Sequence, residues 1–270
     1  MKLKDTLLTL GKVAIKSRPL GKRRKSPCRE SLIIMGNGPS LRQTLDTKME
    51  TLKSSDTMAV NFAAITDEFF TVRPAHYLLA DPHFFSPEGS DTNVDKLWES
   101  LNHVEWPMTL HIPTGRRVPT LSPNITIKLF NMTPGAGWSS IVYPLFRSGM
   151  AMPRPRNVMI PAIMQGIREG YRKIYLVGAD HTWPHSLYVD DDNRVVTVQP
   201  HFYKENRKEL DRIAAVYAGV RLHEVLGSMT VAFRSYHDVK HFAEHEGVEV
   251  YNSTPDSLID AFPRRPLPEL

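Results

Sequence analysis

Ile33-Ile34-Met35-Gly36-Asn37-Gly38-Pro39-Ser40-Leu41 is the stretch on which the fold prediction rests. Residues 31–35 form a short apolar run with β-branched members, which is typical of a buried strand. Gly36 and Gly38 allow a tight turn, and Ser40 is a typical N-cap for a helix that we expect to reach about Met49. A glycine turn before a helix N-terminus favours a phosphate, because free N–H groups and the helix dipole attract anions. The spacing matches neither the dinucleotide fingerprint nor the Walker loop, so an ordinary strand–helix turn stays open.

The rest of the chain alternates strand and helix patterns. We predict further strands at 57–62, 76–81, 108–112, 125–130, 173–177 and 248–251, and helices near 65–70, 94–101, 157–168, 204–217, 239–246 and 256–261. This alternation predicts a Rossmann-like α/β fold, with a mostly parallel sheet and helices on both of its faces. Within a domain of residues 31–262, we interpret 131–156 as an irregular functional loop and 181–230 as an inserted helical lid. The proline-rich residues 263–270 are expected to be a loose tail.

Polar side chains follow several of these strands at the point where each ends. Asn37, Asn61, Asp81 and Asp180 all hold such positions. Each of them is a common turn or cap residue when taken singly. Because ligands of open α/β sheets bind outside the carboxyl ends of the strands, four together predict a polar cleft. A nucleotide or nucleotide-sugar, with a phosphate for the glycine turn and hydroxyls for the amides, fits that cleft.

Positive charge is concentrated in the first thirty residues. Residues 1–30 hold ten Lys and Arg against two acidic residues, a net charge of +8 in a chain whose total is +5. Leu3, Leu7, Leu10 and Val13 recur beside these charges at helical spacing. A basic amphipathic arm of this kind suits an anionic membrane surface, with a solvated tail as the alternative. Nucleic acid is not expected as a partner, because the remainder of the chain is not basic.

Composition excludes several classes of protein. The chain has 270 residues and a single cysteine, Cys28, so an internal disulfide is excluded. We find no apolar run of membrane-spanning length and no secretory signal, which predicts a cytoplasmic protein held peripherally on the inner membrane face. Homo-oligomerisation stays open.

The opening motif also carries a family resemblance. Gly36-Asn37-Gly38-Pro39-Ser40-Leu41 resembles the N-terminal motif of the bacterial sialyltransferases that decorate lipooligosaccharides, glycosyltransferase family 42. The likeness continues in family order through Asn61, Asp81-Pro82, residues 170–180, Tyr188 and residues 251–262. The same glycine motif occurs in a wider group that includes archaeal pterin pyrophosphokinase-like domains.

The resemblance implies a single Rossmann-like domain with a lid, and inverting transfer from a cytidine monophosphate (CMP) sugar without a metal ion or other cofactor. The product would be a cell-surface glycan or glycolipid, as in lipopolysaccharide biosynthesis. It also implies roles for residues that match the family's motifs. Asn37, Gly38, Ser40, Asn61 and Asp81 would contact the donor, and Tyr188 would hydrogen-bond the leaving phosphate. We add Gly36, Pro39, Asn157, Asp180 and Tyr203 to the expected donor-binding set.

The sequence departs from the family at several of these positions. The family has asparagine where this chain has Asp81, and its second phosphate tyrosine falls on Thr182. The family's base histidine aligns near Phe233, four residues before His237. A histidine suits the base because its unperturbed pKa is about 6.5. We expect His237 as the base, at the N-terminus of the 239–246 helix, and His181 second, with His185 and His201 as further candidates.

Three further patterns leave alternatives open. Arg156 is a candidate phosphate ligand, like Tyr203. Asp190-Asp191-Asp192 fits a metal site or a solvated hairpin turn, of which we favour the turn. Trp138 with Gly135 and Gly137 fits an acceptor site or a loop anchor. Two other functions also stay open, a pterin pyrophosphokinase-like nucleotide enzyme that needs magnesium and a non-catalytic membrane-associated nucleotide-binding protein.

Overall fold

The computed structural model describes residues 2–21, 30–86, 92–196 and 219–269. The predicted helix at 204–217, together with Tyr203 and His201, lies outside the described residues. The major helices are α1 (Lys2–Lys16), α2 (Ser40–Ser54), α3 (Asp67–Val72), α4 (Thr92–Asn102), α5 (Ser139–Ser148), α6 (Met159–Glu169) and α7 (Leu222–His245). The strands are β1 (Ser31–Met35), β2 (Asp56–Val60), β3 (His76–Leu78), β4 (Met108–Pro113), β5 (Ile125–Phe130), β6 (Lys173–Val177), β7 (Tyr188–Val189), β8 (Val195–Val196) and β9 (Glu249–Asn252).

Seven of these strands form one parallel sheet in the order β5-β4-β3-β2-β1-β6-β9. The central strands are apolar along almost their whole length, as parallel strands covered on both faces must be. Alternate side chains of β1 enter two different cores, with Leu32 and Ile34 on one face and Ile33 and Met35 on the other. The predicted Rossmann-like α/β class is therefore confirmed.

The strand order reverses at β1, whose neighbours are β2 on one side and β6 on the other. Such a switch point opens a crevice at the carboxyl ends of the strands. Two backbone hydrogen bonds join the end of β1 to the end of β6 at the base of that crevice. Gly36 N–H donates to Val177 O and Gly38 N–H donates to Gly178 O, both at 2.8 Å. A Cβ on Gly36 would lie only 2.5 Å from Gly178 O, so this approach of the two turns requires glycine.

Several predicted elements differ from the structure. The 131–156 segment contains α5, which begins after the extended Trp138 and carries Pro144 inside it. The predicted terminal helix at 256–261 is absent, and its residues instead form an irregular segment that bonds to the turn after β6, with Leu258 N–H donating to Asp180 O. The predicted 239–246 helix is the end of the much longer α7. In the first two cases tertiary contacts override local sequence propensity.

The stretch expected to be a loose tail packs on the domain. Asn252 N–H donates to Pro263 O, Arg264 donates to Thr254 O at 2.9 Å, and Leu267 is buried in the core beneath the sheet.

The Asp190 hairpin turn is present as predicted, between the antiparallel β7 and β8. Asp190 accepts from the Arg194 backbone and side chain there. No described helix is both long and apolar enough to cross a membrane.

Candidate functional site

The crevice at the switch point is a cleft of about 630 Å³, a size typical of small-molecule sites. Nine of the predicted site residues line it, namely residues 36–39, Asn61, Asp81, Asn157, Asp180 and His181. They come from turns after β1, β2, β3 and β6, and from the start of α6. The parallel sheet therefore brings together side chains that are more than 140 positions apart in sequence.

Asp180 occupies the helix N-terminus where a phosphate was expected. Its carboxylate accepts from the backbone N–H of Ser40 at 3.1 Å and from the Ser40 hydroxyl at 2.8 Å. A Cβ on Gly38 would overlap this carboxylate. Ser40 lies inside α2, which begins after Pro39, so the expected Ser40 N-cap is wrong. The anion at the glycine turn and the helix N-terminus is thus the carboxylate of Asp180, a residue of the same chain.

Three buried amide atoms of the cleft have no hydrogen-bond partner among the described residues: Asn37 Oδ1, Asn61 Oδ1 and Asn157 Nδ2. The orientation of two of these amides is fixed by the other end of the side chain. Asn37 Nδ2 donates to Val60 O at 3.1 Å, and Asn157 Oδ1 accepts from Met159 N–H at 3.0 Å. An unsatisfied buried polar atom costs about 1–3 kcal/mol. These three positions therefore match a ligand that supplies two donors and one acceptor.

Two of the described histidines line the cleft, His83 and His181, and His181 is the one that the sequence predicted as a candidate base. It is buried, adopts a left-handed backbone conformation with φ of +54°, and packs against Trp183 with ring centroids 4.3 Å apart. Its Nε2 lies 2.6 Å from the Tyr236 hydroxyl. Burial lowers the pKa of His181 to about 3, so the imidazole is neutral at pH 7. Backbone strain of this kind clusters at functional sites.

Tyr236 links His181 to Asn157. Its hydroxyl donates to Asn157 Oδ1 at 3.0 Å. With that proton used, His181 Nε2 must donate to the tyrosine oxygen, which leaves the lone pair on Nδ1. Burial raises the pKa of Tyr236 well above its ordinary value, so it stays a neutral donor. Sequence reasoning missed Tyr236, because no spacing pattern connects it to a histidine 55 residues earlier.

His237 and Tyr188 do not line the cleft. His237 lies well inside α7 rather than at a helix N-terminus, which corrects that expectation. Its side chain is 43% exposed and its Nε2 lies 3.1 Å from Asp260 Oδ1. Tyr188 is 55% exposed in β7. Thr182 does line the cleft, whereas His185 is an exposed residue of the short 3₁₀ helix Trp183–Ser186.

Charged side chains of both signs line the cleft. Arg156 lies just before α6 on one wall, and Asp81 and Glu224 are also present. The Asp81 carboxylate accepts from the backbone N–H of His83 at 2.9 Å and so caps a short 3₁₀ turn. Within the described ranges, no three His, Cys, Asp or Glu side chains come close enough together to hold a metal ion.

Gly135 and Gly137 lie away from the cleft, against α1. Gly137 has a φ of +137°, and a Cβ there would overlap Thr6 of that helix. A Cβ on Gly135 would come within 3.3 Å of Thr9 and 2.8 Å of the Phe146 ring. Of the two interpretations of this glycine pair, the loop anchor is the one the contacts favour.

Comparisons with known proteins give a fold neighbour only. No protein-family model matches the chain, and no curated protein matches it. Among solved structures, it is similar to a MAf glycosyltransferase from Magnetospirillum magneticum AMB-1, with a TM-score of 0.53 and 11% sequence identity. The alignment covers 98% of this chain and 38% of the other, so the chain spans well under half the length of that protein. At this identity the likeness supports the α/β fold.

Proposed function

We propose that this protein is a glycosyltransferase that takes a sugar from a CMP-activated donor, of the sialic-acid-like acidic class, and passes it to a cell-surface glycan or glycolipid. The observation that carries the proposal is the set of three unpartnered amide atoms around one cleft at the switch point of the sheet. Ribose and sugar hydroxyls supply donors for Asn37 and Asn61, and a phosphate or hydroxyl oxygen supplies an acceptor for Asn157. The fold neighbour and the resemblance of the 36–41 motif support the same class of enzyme.

The proposed reaction is direct, inverting displacement at the anomeric carbon without a metal ion. The acceptor hydroxyl attacks, the bond to the CMP phosphate breaks, and the hydroxyl proton passes to a base. We assign the base role to His181 instead of His237, because His181 lines the cleft with a neutral, oriented imidazole. Tyr236 and Asn157 act as positioning residues that fix its tautomer.

Charge development on the leaving phosphate requires a donor or a cation. Arg156 is the proposed partner, since it lines the cleft next to Asn157. The helix end after the glycine turn is not assigned this role, because Asp180 already fills it. Tyr188, expected as a phosphate ligand, is retained only for a closed state in which its hairpin moves toward the cleft. Asp81 stands where the resembling family has asparagine, so we expect a donor sugar with a different polar substituent there.

The test is donor binding followed by transfer. Isothermal titration with CMP, with ATP and with ATP plus magnesium separates the proposal from a pterin pyrophosphokinase-like enzyme. Binding of CMP without magnesium supports the proposal, and binding of ATP only with magnesium contradicts it. A transfer assay with CMP-sialic acid and a soluble glycan then distinguishes an enzyme from a non-catalytic nucleotide-binding protein.

The base assignment has its own matched pair of variants. His181→Asn preserves a residue type that tolerates the left-handed backbone, and should keep CMP affinity within a few-fold while lowering turnover by at least about a hundredfold. His237→Ala, on the exposed face of α7, should turn over like the wild type. The opposite result would return the base role to His237.

We further propose that the enzyme works peripherally at the cytoplasmic face of the inner membrane, where a glycolipid acceptor would be presented.

A further inference from the structure

The N-terminal helix α1 packs a mainly polar face against the domain and leaves its large apolar side chains exposed. The residues that it turns toward the domain are Thr6, Thr9 and Val13, which recur at intervals of three and four. Its large apolar residues Leu3, Leu7, Leu8, Leu10 and Ile15 are exposed, with Ile15 at 84% and Leu7 at 60%. A surface helix of a globular protein usually turns its apolar face toward the core and its polar face toward solvent. The reversed arrangement leaves a continuous apolar surface that another partner must cover.

Specific hydrogen bonds hold the threonine face in place. Thr9 Oγ1 donates to Ala136 O at 2.7 Å and accepts from Ala136 N–H at 2.9 Å, while Trp138 N–H donates to Thr6 Oγ1 at 3.0 Å. The threonine hydroxyls thus satisfy the backbone of the 133–138 loop, which the glycines at 135 and 137 bring close enough to reach. Rotating the helix to bury its leucines would break these bonds.

The chain just after α1 is fixed in the same way. Arg18 N–H donates to Asn131 Oδ1 at 3.0 Å, and Asn131 Nδ2 donates to Arg18 O at 2.8 Å. The Ser17 hydroxyl contacts Thr133 Oγ1 at 2.7 Å. Both ends of the helix are therefore tied to the segment that follows β5, so the outward position of the leucines is part of the fold.

The charges beside the apolar surface identify its partner. Lys2, Lys4, Lys12 and Lys16 lie on α1 against Asp5 alone, and all four lysines are at least partly exposed. Long lysine stems can lie along an apolar surface while the ammonium group reaches a polar headgroup. Trp138, 43% exposed beside Thr6, adds an aromatic side chain of the kind enriched at membrane interfaces.

We infer that the exposed face of α1, formed by Leu3, Leu7, Leu8, Leu10 and Ile15 with its lysines, docks in the headgroup region of an anionic lipid bilayer. This deepens the membrane location proposed for the enzyme and does not depend on its reaction. The 131–138 segment, which holds α1, also supplies Met132 to the lining of the cleft. Lipid docking therefore ties the donor site to the membrane surface through one short stretch of chain.

The experiment is vesicle co-sedimentation of the full chain, with phosphatidylcholine alone and with an equal mixture of phosphatidylcholine and phosphatidylglycerol. We expect sedimentation with the anionic vesicles only, and release as salt is raised, because charge attraction is screened. Replacing Lys4, Lys12 and Lys16 with glutamine should weaken binding by about a hundredfold. Wild-type protein that stays in solution, or that binds neutral vesicles equally well, overturns the inference.

A second set of variants tests whether α1 is the apolar contact, with the same two negative charges added in the test pair and in the control pair. Leu7→Glu with Ile15→Glu changes two exposed residues of α1, and should reduce binding by more than about tenfold. Ile127→Glu with Leu129→Glu makes the same change at exposed positions of the edge strand β5, and should leave vesicle binding near wild type. Equal loss in both pairs overturns the inference.

Two measurements on the same proteins distinguish lipid docking from dimerisation and from nucleotide binding in the cleft. Light scattering detects dimers, and a dimer that the α1 pair abolishes while vesicles remain unbound would assign the surface to a second copy of the chain. CMP binding in solution reports the cleft independently. Vesicle binding without CMP binding would contradict the proposed reaction and leave the docking surface intact.

Discussion

Asp180 and Ser40, 140 residues apart, form the cap that joins the two central turns of the molecule. The carboxylate at the end of β6 accepts both the backbone N–H and the hydroxyl of Ser40 at the start of α2. A carboxylate at a helix N-terminus is favourable because it satisfies an otherwise unpaired donor and opposes the helix dipole. The glycine turn therefore has a structural role that its sequence alone did not show.

Gly38→Ala should destabilise the fold whether or not a ligand is present. The new Cβ overlaps the Asp180 carboxylate and pushes it off Ser40, so we expect a loss of about 2–4 kcal/mol in the free energy of unfolding. Urea denaturation measures it. The matched control is Gly11→Ala, at a helix position with open space around it, which should stabilise by up to about 1 kcal/mol. A Gly38→Ala protein of wild-type stability would show that Gly38 and the Asp180 carboxylate do not lie as close together as the structure shows.

Asn61→Gly should separate binding from stability. Asn61 has a φ of +50°, which glycine adopts without strain, and its side chain carries one of the unpartnered buried acceptors. Its backbone carbonyl would still accept from Tyr77. We expect unfolding stability equal to the wild type or higher, and CMP affinity lower by about tenfold. Titration calorimetry and urea denaturation on one sample give both values, and undiminished affinity would remove Asn61 from the donor site.

Stability should fall in mild acid. Burial lowers the pKa of His181 to about 3 and holds the pKa of His111 well below its usual range, with the His76 charge as the second cause. The unfolded chain therefore binds protons first, and stability present above pH 6.5 is lost as pH falls toward the folded pKa. For His181 alone the loss is about 2 kcal/mol between pH 6.5 and 5.

Urea denaturation at pH 7 and pH 5 measures this loss. His181→Asn should reduce the difference between the two pH values by about 2 kcal/mol, whereas His223→Gln, at an exposed position of α7, should keep the wild-type difference. If the His181 variant retains the full difference, the imidazole is not buried in the neutral form.

Tyr236→Phe should lower turnover more than donor affinity. The change removes the hydroxyl that orients His181 and Asn157 but leaves the ring in the core. We expect kcat to fall by about ten- to a hundredfold, KM to stay within a few-fold, and the acidic limb of the pH–rate profile to shift. Tyr143→Phe, a half-buried tyrosine whose ring packs on Phe242, is the matched control and should match the wild type. A Tyr236→Phe enzyme with an unchanged rate and pH profile would exclude the positioning role.

Local sequence pattern was sufficient for most of the sheet. Strands β1 and β6 match their predicted ranges, and β5 does as well. A run of apolar β-branched residues flanked by turn formers identifies a buried strand wherever it occurs, because the signal lies within a few neighbouring residues. The polar residues at the strand ends could also be placed in one cleft, since parallel strands present their carboxyl ends at one edge.

Contacts between distant residues decided the rest. The 256–261 segment has helical periodicity, yet Ser257 and Leu258 bond to the turn after β6 instead. The Tyr236–His181 contact, the Asp180 cap and the outward leucines of α1 each depend on a partner far away in sequence. Composition, charge and periodicity by themselves determined an α/β fold with a basic amphipathic N-terminus and a polar cleft. Only the tertiary structure decided which of the predicted histidines lines the cleft and which anion fills the glycine turn, because hydrogen bonds form between side chains that folding brings within about 3 Å.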